Sequence, residues 1–385
     1  MHFDKIHISE RTSQFNRRAE AAANWWVRRI DGAKERFRLS GRAADYDDEA
    51  FEFRGGARDS LRRKHYDKSL RLMWKAEREA PWLGFADATR AERQLEEMAL
   101  HAMTDEEREQ RRRLTLPEFK ELLDREYTRR EKEAIVAVLA AIGHGEAYAW
   151  LVSASLLQEV KSTGARAALT MQVMEEAKHF VVIRELLRAF DVPIPRQSAW
   201  EYMFLESVMK SDGLEKLFGM NVAVEGIALS LFGLLSEMPG LEVLRLIHLD
   251  ESRHTALPAN YFKEFPMSEW QKRNPAARMR RLKIILPALL LIPYLEDDLA
   301  ELGIDAFEFG GSVLAKVTYL AERVGFHLPI SRSALLLILN KLFNTYCEIT
   351  REGHEERAFV KADTTTGVRE RAVEQEVFYD APVMA

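Results

Sequence analysis

The chain has 385 residues, a formal net charge of −5 and a hydrophobic fraction of 47%, which is ample for a large core and too much for a disordered or fibrous protein. Its 56 Lys and Arg against 61 Asp and Glu leave no basic excess, which argues against nucleic acid as a partner. The single cysteine, Cys347, excludes an intramolecular disulfide framework, a paired-cysteine redox motif and any four-cysteine metal site. The N-terminal residues lack the apolar core of a signal peptide, so the expectation is a cytoplasmic protein of a reducing compartment.

In chain order, residues 1–60 are mixed, with a loop at Phe53-Arg54-Gly55-Gly56. Asp59–Glu79 and Thr89–Met103 read as charged helices, and the run at 105–113 reads as a solvated face. Thr115-Leu116-Pro117-Glu118 is a helix start, with a Thr cap, an early Pro and Glu three residues on. One helix is expected from there to Lys161, with a kink at Gly143 and Gly145, and Ser162-Thr163-Gly164 breaks it. Helices then fit Ala165–Phe190, about 198–210, Leu214–Glu237, and Leu241–Phe265 with a kink at Pro258. More fit about 275–302, 305–326 and 331–351. No strand-type alternation is sustained, so the chain is expected to be all-α. The most apolar run, Ile284–Leu295, is interrupted by Pro287 and Pro293 and is too short to span a bilayer.

Two Glu-x-x-His motifs carry the chemistry: Glu176-Ala177-Lys178-His179 and Glu251-Ser252-Arg253-His254. Residues three apart on a helix share a face, so each motif aims a carboxylate and an imidazole at one point. Ten histidines in a Glu-rich chain make one such motif unremarkable. Two, each preceded by a second acid (Glu175, Asp250), are less easily dismissed. Each motif helix also follows a helix with an isolated glutamate in a small, apolar stretch: Glu146 and Glu225. An unpaired buried carboxylate is costly, so these two need partners. The midpoint of Glu146 and Glu176 falls at 161, and that of Glu225 and Glu251 at 238, both on expected turns. Antiparallel pairing therefore brings each glutamate level with its motif. The structural alternative is a bundle whose buried acids pair with Lys178 and Arg253.

On these residues the sequence resembles the ferritin-like di-iron carboxylate superfamily, whose pattern is one Glu from each of two helices and a Glu-x-x-His from each of two others. The resemblance covers about residues 117–265. It implies a ferritin-like four-helix bundle, with Glu146, Glu176, His179, Glu225, Glu251 and His254 holding two Fe, or Mn/Fe, and with O2 as co-substrate. It also implies that Asp250 supports His179, that Glu175 supports His254, and that Arg253 binds these acids. The implied organisation is an N-terminal helical extension (1–116), the di-metal bundle (117–265), C-terminal helices packed on it (266–354) and a mobile tail (355–385). His248, one turn before Glu251, is a candidate extra ligand, since some di-iron N-oxygenases of the superfamily carry a third histidine near this position.

Departures from the superfamily's branches narrow the reading. Ile183 stands where ribonucleotide reductase small subunits usually place a radical tyrosine. Ala228 and Leu229 stand where hydroxylases and desaturases tend to place a threonine. One cysteine cannot make the second iron site of rubrerythrins. Roughly 240 residues lie outside the bundle, enough to roof a pocket and exclude water. The expectation is a di-iron, O2-dependent oxidase or oxygenase that hydroxylates, desaturates or N-oxygenates a small organic substrate. The alternatives are a ferroxidase or iron-handling protein, or a radical-generating subunit. Helical spacing nominates Ala149, Trp150, Ser153, Ile183, Asn221 and Leu229 as pocket lining. No GxGxxG and no cysteine cluster is present, so electrons would come from a separate reductase or other external donor. A homodimer is expected by analogy alone.

Overall fold

The computed structural model describes residues 116–360, together with parts of 14–33 and 64–73. The expected helix at 89–103, the charged run at 105–113 and the Thr115 cap lie outside the described residues. Among the described residues the chain is helical and contains no strand. A short helix, α1 (Lys68–Leu72), precedes α2 (Leu116–Glu126) and two long helices, α3 (Arg129–Leu156) and α4 (Thr163–Ala189). Then come α5 (Ala199–Met209), α6 (Gly213–Phe218), a π-helical turn (Gly219–Val224), α7 (Glu225–Leu235) and α8 (Leu244–Glu264). The C-terminal part holds α9 (Glu269–Arg273), α10 (Pro275–Ile285), a 3₁₀ turn (Leu286–Leu290), α11 (Leu291–Tyr294), α12 (Glu296–Glu301), α13 (Ala306–Val324) and α14 (Arg332–Thr350).

Local chemistry corrects the expectation of one helix from 117 to 161. Thr128 caps α3: its hydroxyl accepts from the Glu131 N–H, while the Glu131 carboxylate accepts from the Thr128 N–H. This reciprocal capping box ends α2 and starts a new helix. At Gly143 and Gly145, where a kink was expected, α3 continues as helix. Gly143 instead permits close packing, since a Cβ there would lie 3.1 Å from the Ile183 side chain of α4. The stretch expected as one helix over 275–302 is segmented by Pro287 and Pro293, which supply no N–H to a continuous helix.

Two antiparallel pairs, α3 with α4 and α7 with α8, face each other, and α13 packs against α7 and α8. Gly226 allows this last approach, because a Cβ there would meet Val317 at 2.9 Å. Two apolar clusters fill the bundle, one toward each end. Arg129–Leu156 and Gly213–Leu235 are long and apolar enough to cross a membrane by length and composition; each packs within this bundle and carries a buried glutamate. Residues 355–360, expected to begin the tail, pack on the C-terminal helices. Asn344 and Asn340 bond the Arg357 and Phe359 N–H groups, and Phe359 is buried against Phe307 and Phe343.

Candidate metal centre

The two clusters leave a polar layer between them. Helix α3 supplies Glu146, α4 supplies Glu176 and His179, α7 begins with Glu225, and α8 supplies Glu251 and His254. All six are at most 3% exposed. Their ligand atoms form two groups, Glu146–Glu176–His179–Glu251 and Glu176–Glu225–Glu251–His254, each with every atom within 4.8 Å of the others. Glu176 and Glu251 belong to both. Just before Glu225 the π turn shifts the backbone register, and the Glu225 N–H bonds to the Met220 carbonyl five residues back.

The imidazoles share one arrangement. His179 Nδ1 lies 2.9 Å from Glu251 Oε1, 3.3 Å from Glu146 Oε2 and 3.6 Å from Glu176 Oε2. His254 Nδ1 lies 3.0 Å from Glu176 Oε1, 3.2 Å from Glu251 Oε2 and 3.6 Å from Glu225 Oε1. Both Nε2 atoms point outward to the opposite acid, His179 to Asp250 at 3.0 Å and His254 to Glu175 at 2.9 Å. With Nε2–H donated to a carboxylate, each Nδ1 faces inward and would present a lone pair there once deprotonated.

An outer layer completes these contacts. Arg253 Nη2 donates to Glu175 at 2.7 Å and also to Asp250, and Lys178 Nζ donates to Asp250 at 2.9 Å. Arg253 Nε reaches Ser69 Oγ of α1 at 3.1 Å. The cations of the structural alternative are therefore spent on the outer acids. Among the described residues no Lys or Arg forms an ion pair with Glu146, Glu176, Glu225 or Glu251. Glu146 Oε2, Glu176 Oε2, Glu251 Oε1 and His179 Nδ1 are buried without a hydrogen bond, although some lie about 3 Å apart. These acceptor atoms converge on a common space, and His254 Nδ1 also hydrogen-bonds Glu251 Oε2 at 3.2 Å. Four carboxylates and two imidazole nitrogens fit a pair of hard-to-borderline divalent cations, iron and manganese among them.

The electrostatics carry the same message. Burial and the Glu251 charge hold Glu146 well above the usual carboxylate range, and burial with the Glu176 and Glu251 charges does the same to Glu225. Burial also opposes the ionised forms of Glu176 and Glu251, but the imidazoles outweigh it: Glu176 is held well below its ordinary value and Glu251 falls to about 2. Burial disfavours charged His179 and His254, yet the surrounding carboxylates raise both well above an ordinary histidine. Without a cation, protons held on Glu146, Glu225 and the two imidazoles offset the ionised Glu176 and Glu251.

Some members of the site were not foreseen. Gln172 donates to Glu225 at 2.9 Å and Glu176 at 3.3 Å, and its carbonyl accepts from Asn221 at 2.8 Å. Its signal was available: it stands one turn before Glu176, on the same face. Ser69, and His65, which contacts Asn260 at 3.1 Å, had no readable signal, being far away in sequence. His248 belongs to neither ligand group; its Nδ1 bonds the Leu229 carbonyl at 2.9 Å, while its buried Nε2 has no hydrogen bond. Nearby, Lys316 of α13 donates to Ser230 at 3.0 Å. His144 pairs with Glu201 at 2.9 Å.

Glu146 also lines an apolar cleft of about 120 Å³ between α3, α5, α7, α13 and the 286–299 segment. None of the six nominated lining residues borders it. Trp150 is 40% exposed, Ala149 packs in one apolar cluster and Ile183 in the other. Ser153 is buried, Asn221 bonds Gln172 and the His254 carbonyl, and Leu229 gives its carbonyl to His248. On α3 the nomination ran toward the C-terminal end, whereas the cleft opens toward the N-terminal end, at Ala141, Ile142 and Gly145. Its far wall comes from α13 and residues 286–299, whose position no local spacing encodes. Comparison with known proteins finds no matching protein family, no matching curated protein and no matching solved structure.

Proposed function

We propose that the chain is a ferritin-like di-iron oxidase or oxygenase that uses O2 on a small organic substrate and draws electrons from a separate donor. The observation that carries this reading is the inner cluster: four buried carboxylates and two inward-facing Nδ1 atoms with no Lys or Arg among them. Glu176 and Glu251, common to both ligand groups, would be shared by the two metals. Glu146 with His179 would complete one site, and Glu225 with His254 the other. When bound, iron at these positions supplies the redox chemistry that activates O2. Asp250 and Glu175 hold the Nε2–H of each imidazole and so keep Nδ1 available. Gln172 orients Glu176 and Glu225 through its amide N–H groups. The apolar walls beside Glu146 keep bulk water from the reacting centre. That cleft favours a substrate enzyme over a ferroxidase, because a route for hydrated iron needs polar walls.

The test is anaerobic Fe(II) loading with metal counting, then O2 exposure followed by optical and Mössbauer spectroscopy. A coupled di-iron signal at two irons per chain is expected. Unchanged iron content in Glu176→Ala and His179→Ala would sink the assignment. Turnover of many Fe(II) per chain with Fe(III) release would favour iron handling instead.

A further inference from the structure

Nearly the whole lining of the cleft is hydrocarbon. Among its described lining residues, only Glu146 and Glu201 carry polar side chains. Glu146 directs Oε2 at His179, and Glu201 Oε2 is held by His144 at 2.9 Å and by the Ser198 N–H at 3.0 Å. Among the described residues no Lys, Arg or His lines the cleft, so an ionised carboxylate or phosphate inside would have no partner there. Small side chains create the space: Ala141, Gly145, Ala223, Ala228 and Ala288. A Cβ added at Gly145, next to Glu146, would meet nothing within 4 Å.

The outer wall is unusual. Residues 286–294 read Leu-Pro-Ala-Leu-Leu-Leu-Ile-Pro-Tyr, and neither of their two helical turns contains a fully buried side chain. Leu286, Leu290 and Tyr294 are exposed, whereas Ala288, Leu291 and Ile292 line the cleft. This wall is therefore one turn thick and apolar on both faces. Pro287 and Pro293 deny it two backbone donors. Where it parts, such a wall would offer an apolar solute a path with no polar barrier.

We infer that the cleft binds an uncharged aliphatic molecule, admitted past residues 286–294 and held with one end at Glu146. The assignment rests on the oxygenase reading for its chemistry, but the binding itself needs no metal. It predicts that metal-free protein binds the neutral fluorescent probe 1-aminoanthracene and that n-octane and 1-octanol displace it. Octanoate at neutral pH should displace it at least about tenfold less well than 1-octanol, because its charge cannot enter unpaired. Gly145→Leu and Ala228→Leu fill the space and should each weaken probe binding by about tenfold or more. Trp150→Leu, outside the cleft, should leave it unchanged. Circular dichroism and thermal melts of each variant separate a filled cleft from a misfolded chain, and two positions guard against loss of either one. Anaerobic metal counts on the same proteins keep the two readings apart. A wild type that binds probe but no metal pair sinks the oxygenase reading alone. The cleft assignment is overturned by any of three results: no displacement by octane, both folded filling variants binding as wild type does, or octanoate displacing as strongly as 1-octanol.

Discussion

Two acid-rich layers lie one within the other, and they solve burial differently. The outer layer, Glu175 and Asp250 with Arg253 and Lys178, has two acids and two cations in direct contact. The inner layer has four carboxylates and two imidazoles, with no Lys or Arg pairing with the carboxylates among the described residues. Both are sequestered from water, so dielectric cannot explain the difference. The outer layer is complete as protein alone. The inner layer reaches charge balance only by taking up protons or cations, and this is what separates a binding site from a structural ion-pair network.

The strongest break in that comparison comes from the inner carboxylates. Glu176→Ala or Glu251→Ala should abolish binding of both metals, since each residue serves both groups, whereas Glu146→Ala or Glu225→Ala should leave one. Metal content per chain by elemental analysis reads this directly, and equal losses for all four would remove the distinction between shared and single-site ligands.

Next is the outer cation. Arg253→Met leaves Glu175 and Asp250 buried without their principal partner and should cost about 3–5 kcal/mol in chemical denaturation of the metal-free protein. A cost below about 1 kcal/mol would mean that water or Lys178 already serves these acids.

Asp250→Asn sharpens the link between layers. It keeps the shape but weakens the hold on His179 Nε2–H, so metal affinity should fall by about 10–100-fold. An unchanged affinity in a competition titration would show that the outer acid does not tune its ligand.

The smallest effect is a pH dependence. Glu146, Glu225, His179 and His254 are all raised in the fold, so their contribution is present below their unfolded values and is lost as pH rises through the folded ones. Glu176 and Glu251 are lowered, so theirs is present above the unfolded carboxylate value and lost on acidification. The metal-free protein should therefore melt several degrees lower at about pH 9 than at about pH 6, with a second decline in acid. Metal loading should flatten the alkaline limb, because cations replace the protons. A metal-free Tm that climbs from about pH 6 to pH 9 would contradict the proton-filled site.

What the sequence determined by itself was local in origin. Repeating Glu-x-x-His, two glutamates stranded in small apolar stretches, and midpoints falling on turns all follow from helical period and from the cost of burying a lone carboxylate. These suffice to gather Glu146, Glu176, His179, Glu225, Glu251 and His254, and the pairing of each outer acid with the opposite histidine followed from the superfamily resemblance. Gln172 was legible one turn before Glu176 and passed unread. Other features depended on which remote surfaces meet. Ser69 reaches Arg253 across 184 positions, Lys316 enters beside Ser230 from α13, and the cleft takes its far wall from residues 286–299 and α13. Periodicity says which face of a helix is buried but not which helix will cover it. Coverage is settled by shape and packing over the whole chain, and that is why the clustered carboxylates and imidazoles could be named from the sequence while the lining of the cleft could not.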